Sequence, residues 1–248
     1  MFRPRAIPCL LVRGSGLVKT RKFRNPVYLG DPVNAIRIFS EKEVDELIIL
    51  DIDATVEKRD PNYDLIAEMA GEAFMPVAYG GGIHSISQIR RLIRTGIEKV
   101  VINTAATQST NIIREAANIF GSQAVVVAVD IKKTLFGRYK IVSHSGTLEI
   151  ETELDEYIQL VVESGAGEIF LNSVDRDGMM EGYDLALIKQ VSQSINIPII
   201  ASGGAGKIED MSLAISEGGA SAVAAGSLFV FYGKQKGVLI NYPTNVTF

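Results

Sequence analysis

The sequence has no tryptophan and a single cysteine, Cys9, in 248 residues. A lone thiol cannot close an internal disulfide, so a disulfide-stapled scaffold is excluded and a reducing compartment is favoured. Cys9 falls in an apolar run and reads as a small buried hydrophobe. Nowhere do eighteen apolar residues follow one another, so no membrane-spanning helix is expected. Met1-Phe2-Arg3-Pro4-Arg5 leads into a strand with no signal-peptide pattern, and the expected location is the cytoplasm. A block of Lys and Arg is missing as well. With 25 basic against 29 acidic side chains the formal net charge is −4, which argues against a nucleic-acid partner. No metal site and no cofactor are expected.

What is present is apolar bulk and punctuating glycine. Residues that are 47% hydrophobic and 22% charged, over this length, can bury the core of one barrel-sized domain. The stretch Ile197 to Gly206 is an apolar run ending in Ser202-Gly203-Gly204-Ala205-Gly206, followed by the helical opening Lys207 to Asp210. It reads as strand, glycine turn, helix. Backbone N–H groups without intrahelical partners converge at such a turn, beside the positive end of the helix dipole, and together they suit a phosphate. The stretch Met75 to Ile83 copies it at a shift of 122 residues, with Pro76, Gly81 and Gly82 matching Pro198, Gly203 and Gly204. Two such turns imply a ligand with two phosphates.

The repeat extends outward. Glu46 to Asp53 overlays Glu168 to Asp175 at 122, and Tyr63-Asp64-Leu65 overlays Tyr183-Asp184-Leu185 at 120. Val100 to Thr104 overlays Val223 to Ser227 at 123, and Arg5 to Val12 overlays Ala124 to Ile131 at 119. Four strands per copy predict an α/β fold, a single (β/α)8 TIM barrel over 1–248 made of half-barrels at about 1–122 and 123–248.

Taken in order, strand one is Ala6 to Val12, followed by a long loop carrying Gly14, Gly16, Lys19 and Lys22 before Asp31-Pro32 opens a helix. Excess loop length on the catalytic face is usually functional, which makes Lys19 a candidate to reach a phosphate or a leaving group. Strand four runs Lys99 to Thr104, and Ile112, Ala116 and Ile119 or Phe120 line the next helix. Strand five, Ala124 to Asp130, ends in a carboxylate that is costly to place at a strand tip unless it is used or paired. Lys133 to Val142 reads as a hairpin over the barrel top, and Thr152 as a helix cap. His84 reads as an exposed loop residue. After Phe231 no helical period appears, so the eighth helix is short or irregular.

Several motifs together resemble the cyclase subunit of imidazole glycerol phosphate synthase over essentially the whole chain. They are Arg5 to Cys9, Tyr79 to Ile83, Ile102 to Ala106, Phe120 to Gln123 with Asp130, Ser173 to Gly178, Tyr183 to Leu185, and Ile200 to Gly206. The resemblance implies one phosphate site at Gly81, Gly82, Asn103 and Thr104. It implies a second at Ser202, Gly203, Gly204, Gly226 and Ser227. It also implies a class I glutaminase docked on the N-terminal barrel face and supplying ammonia, a phosphorylated small-molecule substrate, and an ammonia gate at Arg5, Glu46, Lys99 and Glu168. Each of those four also stands at the start of a predicted strand. Two positive and two negative charges can close a ring there, or simply face water.

One expected feature is missing. The resemblance calls for two aspartates, at the tips of strands one and five, as general acid and base, and the internal alignment sets Leu11 opposite Asp130. Losing a general acid or base typically costs ~10²–10⁴-fold. The pattern therefore resembles a paralogous branch found with bacterial surface-polysaccharide genes, in which barrel and glutaminase supply ammonia to a separate ATP-dependent sugar-amidating enzyme. A working cyclase using Asp51 or Asp177 as the second acid, and a non-catalytic ammonia conduit, remain the alternatives.

Overall fold

The computed structural model describes residues 3–233 and 235–243. Eight parallel strands close on themselves: Arg5–Arg13, Leu47–Asp51, Val77–Gly80, Lys99–Ile102, Val125–Lys133, Glu168–Ser173, Ile199–Ser202 and Ala222–Ala225. Closure is carried by the pairing of strand one with strand eight, Arg5 opposite Ala222, while strand five pairs with strand six, Asp130 opposite Asn172. The expected (β/α)8 TIM barrel is the fold.

Two apolar layers account for it. Residues alternating along the strands point inward, where Ile7, Ile48, Ala78, Val101, Val126, Phe170, Ile200 and Ala222 fill the barrel axis. Their neighbours point outward against the helices, as with Leu47, Tyr79, Val127 and Val223 beneath Phe39, Ile66, Ile89 and Ile158. Strands covered on both faces need apolar residues at nearly every position, which is how they read. Helices begin where the sequence offers caps. Asp31 accepts from the Asn34 amide ahead of Pro32–Glu41, and Ser85 makes a reciprocal capping box with Gln88 ahead of Ile86–Arg94.

Five local expectations change. The long first loop is a hairpin, Gly16–Arg21 and Arg24–Gly30, in which Val18 pairs back onto Leu11. Strand four stops at Ile102, and Thr104–Gln108 forms a short helix. In Asn111–Phe120 Ala116 is buried and Ile112 and Phe120 pack half-buried against the core as expected, but Ile113 joins the buried face and Ile119 is exposed. Strand five runs past Asp130 to Lys133, so that carboxylate lies within an extended strand and not at its end. Glu153, with no side-chain cap bond, takes the cap position expected of Thr152. The hairpin after strand five is present, with Tyr139–Ser143 returning along it. The last helix is short, Ser227–Val230, and is followed by paired Phe231–Tyr232 and Gly237–Val238. Met1, Phe2 and Lys234, which belong to the terminal readings above, lie outside the described residues. Among the described residues no helix is long and apolar enough to cross a membrane.

Candidate functional site

A cavity of about 970 Å³ opens at the C-terminal ends of the strands. Its lining includes Leu11, Lys19, Asp51, Asp130, Asp177 and both glycine turns, so the barrel brings together the residues singled out on that face.

Asp130 is the polar centre of one wall. Its two carboxylate oxygens accept from Asn103 Nδ2 at 3.0 Å and from Asn172 Nδ2 at 3.2 Å. Burial pushes its pKa up to about 7, and nearby Asp177 adds to the rise, while the bonds from Asn172 and Asn103 and the charge of Lys132 oppose it. A carboxyl so placed can hold or release a proton near neutrality. The side chain of Asn103 is thereby turned onto Asp130, leaving Thr104 to accept from the His144 amide at 3.3 Å.

The opposite wall is built on the same plan from different side chains. Leu11 stands beside Leu50 as Asp130 stands beside Asn172. At Gly226, the counterpart of Asn103, an added Cβ would lie 2.9 Å from Lys19 Cε, so the lysine stem fills the room an amide would need. Lys19 is neither a loop residue nor solvated. It is buried in a strand, and its Nζ donates to Asp177 at 2.9 Å.

Both substitute acids are engaged. Asp177 also accepts from the Thr20 hydroxyl at 2.9 Å. Asp51 accepts two bonds from the Arg59 guanidinium, at 2.7 and 2.8 Å, and the backbone amides of Asp53 and Ala54 as well. Carboxylates whose oxygens are taken up by charged donors are positioned for binding or scaffolding and have little free capacity toward a substrate. Cys9 beneath them is pushed up to about 12, mainly by burial, and stays a neutral thiol.

The glycine turns match in detail. Gly81, Gly82, Gly203 and Gly204 all have positive φ, and an added Cβ would strike backbone oxygens within 2.1–2.7 Å at each. Only glycine fits. In both turns the next helix caps itself. Gln88 accepts from the His84 and Ser85 amides, and Asp210 from those of Gly206 and Lys207. Those amides are therefore occupied. The short helices opened by Asn103 and Gly226 have no side-chain cap bond, and Ser227 stands at the start of the second. Ser202, at the end of strand seven, pairs with Asn172 in the sheet.

At the other end of the barrel Arg5, Glu46, Lys99 and Glu168 form a closed ring. Arg5 binds Glu46 and, at 3.1 Å, Glu168; Lys99 reaches Glu46 at 2.9 Å and Glu168 at 3.1 Å. Each cation touches both anions, which overturns the picture of separate charges facing water. Burial works against the Arg5 charge, yet the two carboxylates outweigh it and raise its pKa.

Some cavity residues carried no sequence signal. His144 and Ser145 adopt left-handed backbone at φ 50 and 55, and Ser145 reaches across to the Ile52 carbonyl at 2.9 Å. His84, by contrast, is an exposed loop residue as read.

The family described as histidine biosynthesis protein matches residues 5–236. A protein of Pseudomonas aeruginosa, provisionally named imidazole glycerol phosphate synthase subunit hisF2, is 52% identical over 243 residues, covering 98% of this chain and 97% of that one. Vibrio vulnificus has a protein provisionally named subunit hisF3 that is 44% identical, covering 98% and 94%. Imidazole glycerol phosphate synthase subunit HisF of Alkaliphilus metalliredigens is 42% identical, covering 92% and 91%. The chain thus belongs to the histidine biosynthesis protein family, within its HisF-like imidazole glycerol phosphate synthase cyclase subunits.

Proposed function

We propose that this barrel receives ammonia from a class I glutaminase docked on the face of the Arg5, Glu46, Lys99 and Glu168 ring. It passes the ammonia along the barrel axis to the cavity and supports amidation of a surface-polysaccharide sugar by a separate ATP-dependent enzyme, without closing an imidazole ring itself. The observation that carries this reading is Leu11. The ring is complete and both glycine turns are intact, yet an isobutyl group stands where a second proton-transferring group would be needed, and it can neither donate nor accept a proton. Asp51 and Asp177, bound to Arg59 and Lys19, are poorly placed to substitute. The two turns are read as cradles for a phosphorylated ligand, one at Gly81, Gly82, Asn103 and Thr104, the other at Ser202, Gly203, Gly204, Gly226 and Ser227.

Two measurements test it. With saturating ammonium and the cyclase substrate, turnover is expected to be absent or at least ~10²-fold below that of a two-aspartate cyclase. Robust turnover would return the protein to histidine biosynthesis. With the glutaminase present, Lys99→Ala should alter glutamine-coupled ammonia delivery more than it alters folding. Unchanged delivery would remove the gate from the reading.

A further inference from the structure

The mouth of the cavity is rimmed by two hairpins that neither the ring nor the cradles require. Strands one and five, on opposite sides of the barrel, each run on into a hairpin, over 13–30 and 131–147. Together these segments hold nine of the 25 basic side chains and none of the 29 acidic ones, although the strand that follows the second, Leu148–Ile150, sets Glu149 beside Lys140. The remainder of the chain, with 16 basic and 29 acidic residues, carries a net −13. The cations come in two short runs far apart in the sequence, Arg13 to Arg24 and Lys132 to Lys140, and the fold brings the runs to one rim. Lys19, Arg13 and Lys140 have acidic partners, but Arg21, Lys22, Arg24, Lys133 and Arg138 make no ion pair among the described residues. The hairpins meet: a Cβ on Gly146 would lie 3.2 Å from the Phe23 ring.

Each hairpin also shows apolar side chains to solvent. Val27 and Tyr28 are 59% and 69% exposed on the outer strand of the first, which among the described residues pairs with nothing beyond its hairpin mate. Leu135 and Phe136 are almost wholly exposed at the tip of the second. Basic charge alone would serve to draw in a phosphorylated ligand. Exposed aromatic and aliphatic groups would not, and paired with unneutralised cations they have the character of a contact surface.

We infer that this collar docks an acidic protein over the cavity mouth, and that its occupant is the ammonia-consuming enzyme. The inference rests on the conduit reading above. Ammonia released into water at neutral pH is protonated and loses its nucleophilicity, so delivery requires a receiver that covers the exit. A basic rim opposite an acidic partner steers the encounter, and the four apolar residues supply the desolvated contacts.

The test mixes the full-length protein, its host's glutaminase and its host's ATP-dependent sugar-amidating enzyme, followed by sedimentation velocity. The amidating enzyme is expected to co-sediment. Lys22→Glu with Arg138→Glu, and separately Val27→Ser with Phe136→Ser, should each weaken that contact at least tenfold, with glutaminase binding unchanged. Absence of co-sedimentation, or co-sedimentation that both double variants leave intact, overturns the inference. So does charge-dependent binding to phosphatidylglycerol vesicles in place of the enzyme, which would make the collar a membrane contact. Loss of glutaminase binding by the unmodified protein appears as a separate boundary and would sink the conduit reading instead.

Discussion

The first four and last four barrel strands share a backbone plan and differ in what they place at the cavity. Around the tip of strand five, Asp130, Asn172 of strand six and Asn103, which follows strand four, form a hydrogen-bonded trio. Around strand one the corresponding positions are Leu11, Leu50 of strand two and Gly226, which follows strand eight, with the Lys19 stem lying over the glycine. The two sites therefore differ by more than one acid. An aspartate at position 11 would meet a leucine where Asp130 meets an amide, and the lysine that could pair with it is bound to Asp177. The positions around Leu11 hold no partial copy of the polar trio, consistent with the rule that a half-satisfied buried network is worse than an apolar one.

The largest expected effect comes from introducing a carboxyl and amide pair there. Leu11→Asp alone should destabilise by about 1–3 kcal/mol, the usual cost of a poorly paired buried polar group. With Leu50→Asn added, part of that loss should return, because the amide can donate as Asn172 does. If the cradles hold the cyclase substrate, the double variant should raise ammonium-dependent turnover by ~10²-fold or more over the unmodified protein. Urea unfolding and a product assay check the two halves of this expectation. Equal stability of the single and double variants would show that the two half-barrels are not interchangeable at this point.

Much of this symmetry is legible in the sequence, since a fixed shift between apolar runs and glycine turns needs no three-dimensional information. The barrel and the paired turns follow from it, whereas the ring of four rests on the family resemblance, only Glu46 and Glu168 being symmetry mates. The first hairpin follows from neither. Its period is broken by Lys19, a charged residue buried only because Asp177, 158 positions away, neutralises it. The Asp51–Arg59 pair is hidden for a similar reason, since a loop arginine carries no periodic signal of its target. The left-handed conformations of His144 and Ser145, in the turn between Tyr139–Ser143 and Leu148–Ile150, are equally invisible, because neither position is marked by a glycine.

A smaller effect sharpens the comparison through pH. Asp130 has its pKa raised from the ordinary carboxylate range to about 7, chiefly by burial, so the folded state holds a proton that the unfolded chain has already released. By linkage, stability should fall as pH rises through the window from about 4 to about 7, by up to about 1.4 kcal/mol per unit, and level off above it. Asp130→Asn abolishes that contribution. The variant should gain stability relative to the parent on going from pH 5 to pH 8, measured by urea unfolding. Leu11, which cannot titrate, makes no such contribution from the other half. A difference between variant and parent that does not change with pH would show that Asp130 is not protonated in the folded protein.

The smallest effect separates the two glycine turns. Their self-capping side chains occupy equivalent positions, but Gln88 is neutral and Asp210 is an anion at the start of its helix. A carboxylate there stabilises the helix through its dipole and repels any anion bound nearby, each effect amounting to about 0.3–1 kcal/mol. If the turns cradle phosphates, the first should bind inorganic phosphate more tightly than the second. Asp210→Asn should strengthen the second by about two- to fivefold at low ionic strength while costing a few tenths of a kcal/mol in stability, and Gln88→Glu should weaken the first by a similar factor. Phosphate titrations followed by amide NMR resolve the sites through Gly82 and Gly204. Affinities that move together in both variants, or that ignore both substitutions, would mean that the caps do not tune the turns and that the two halves differ at their centre alone.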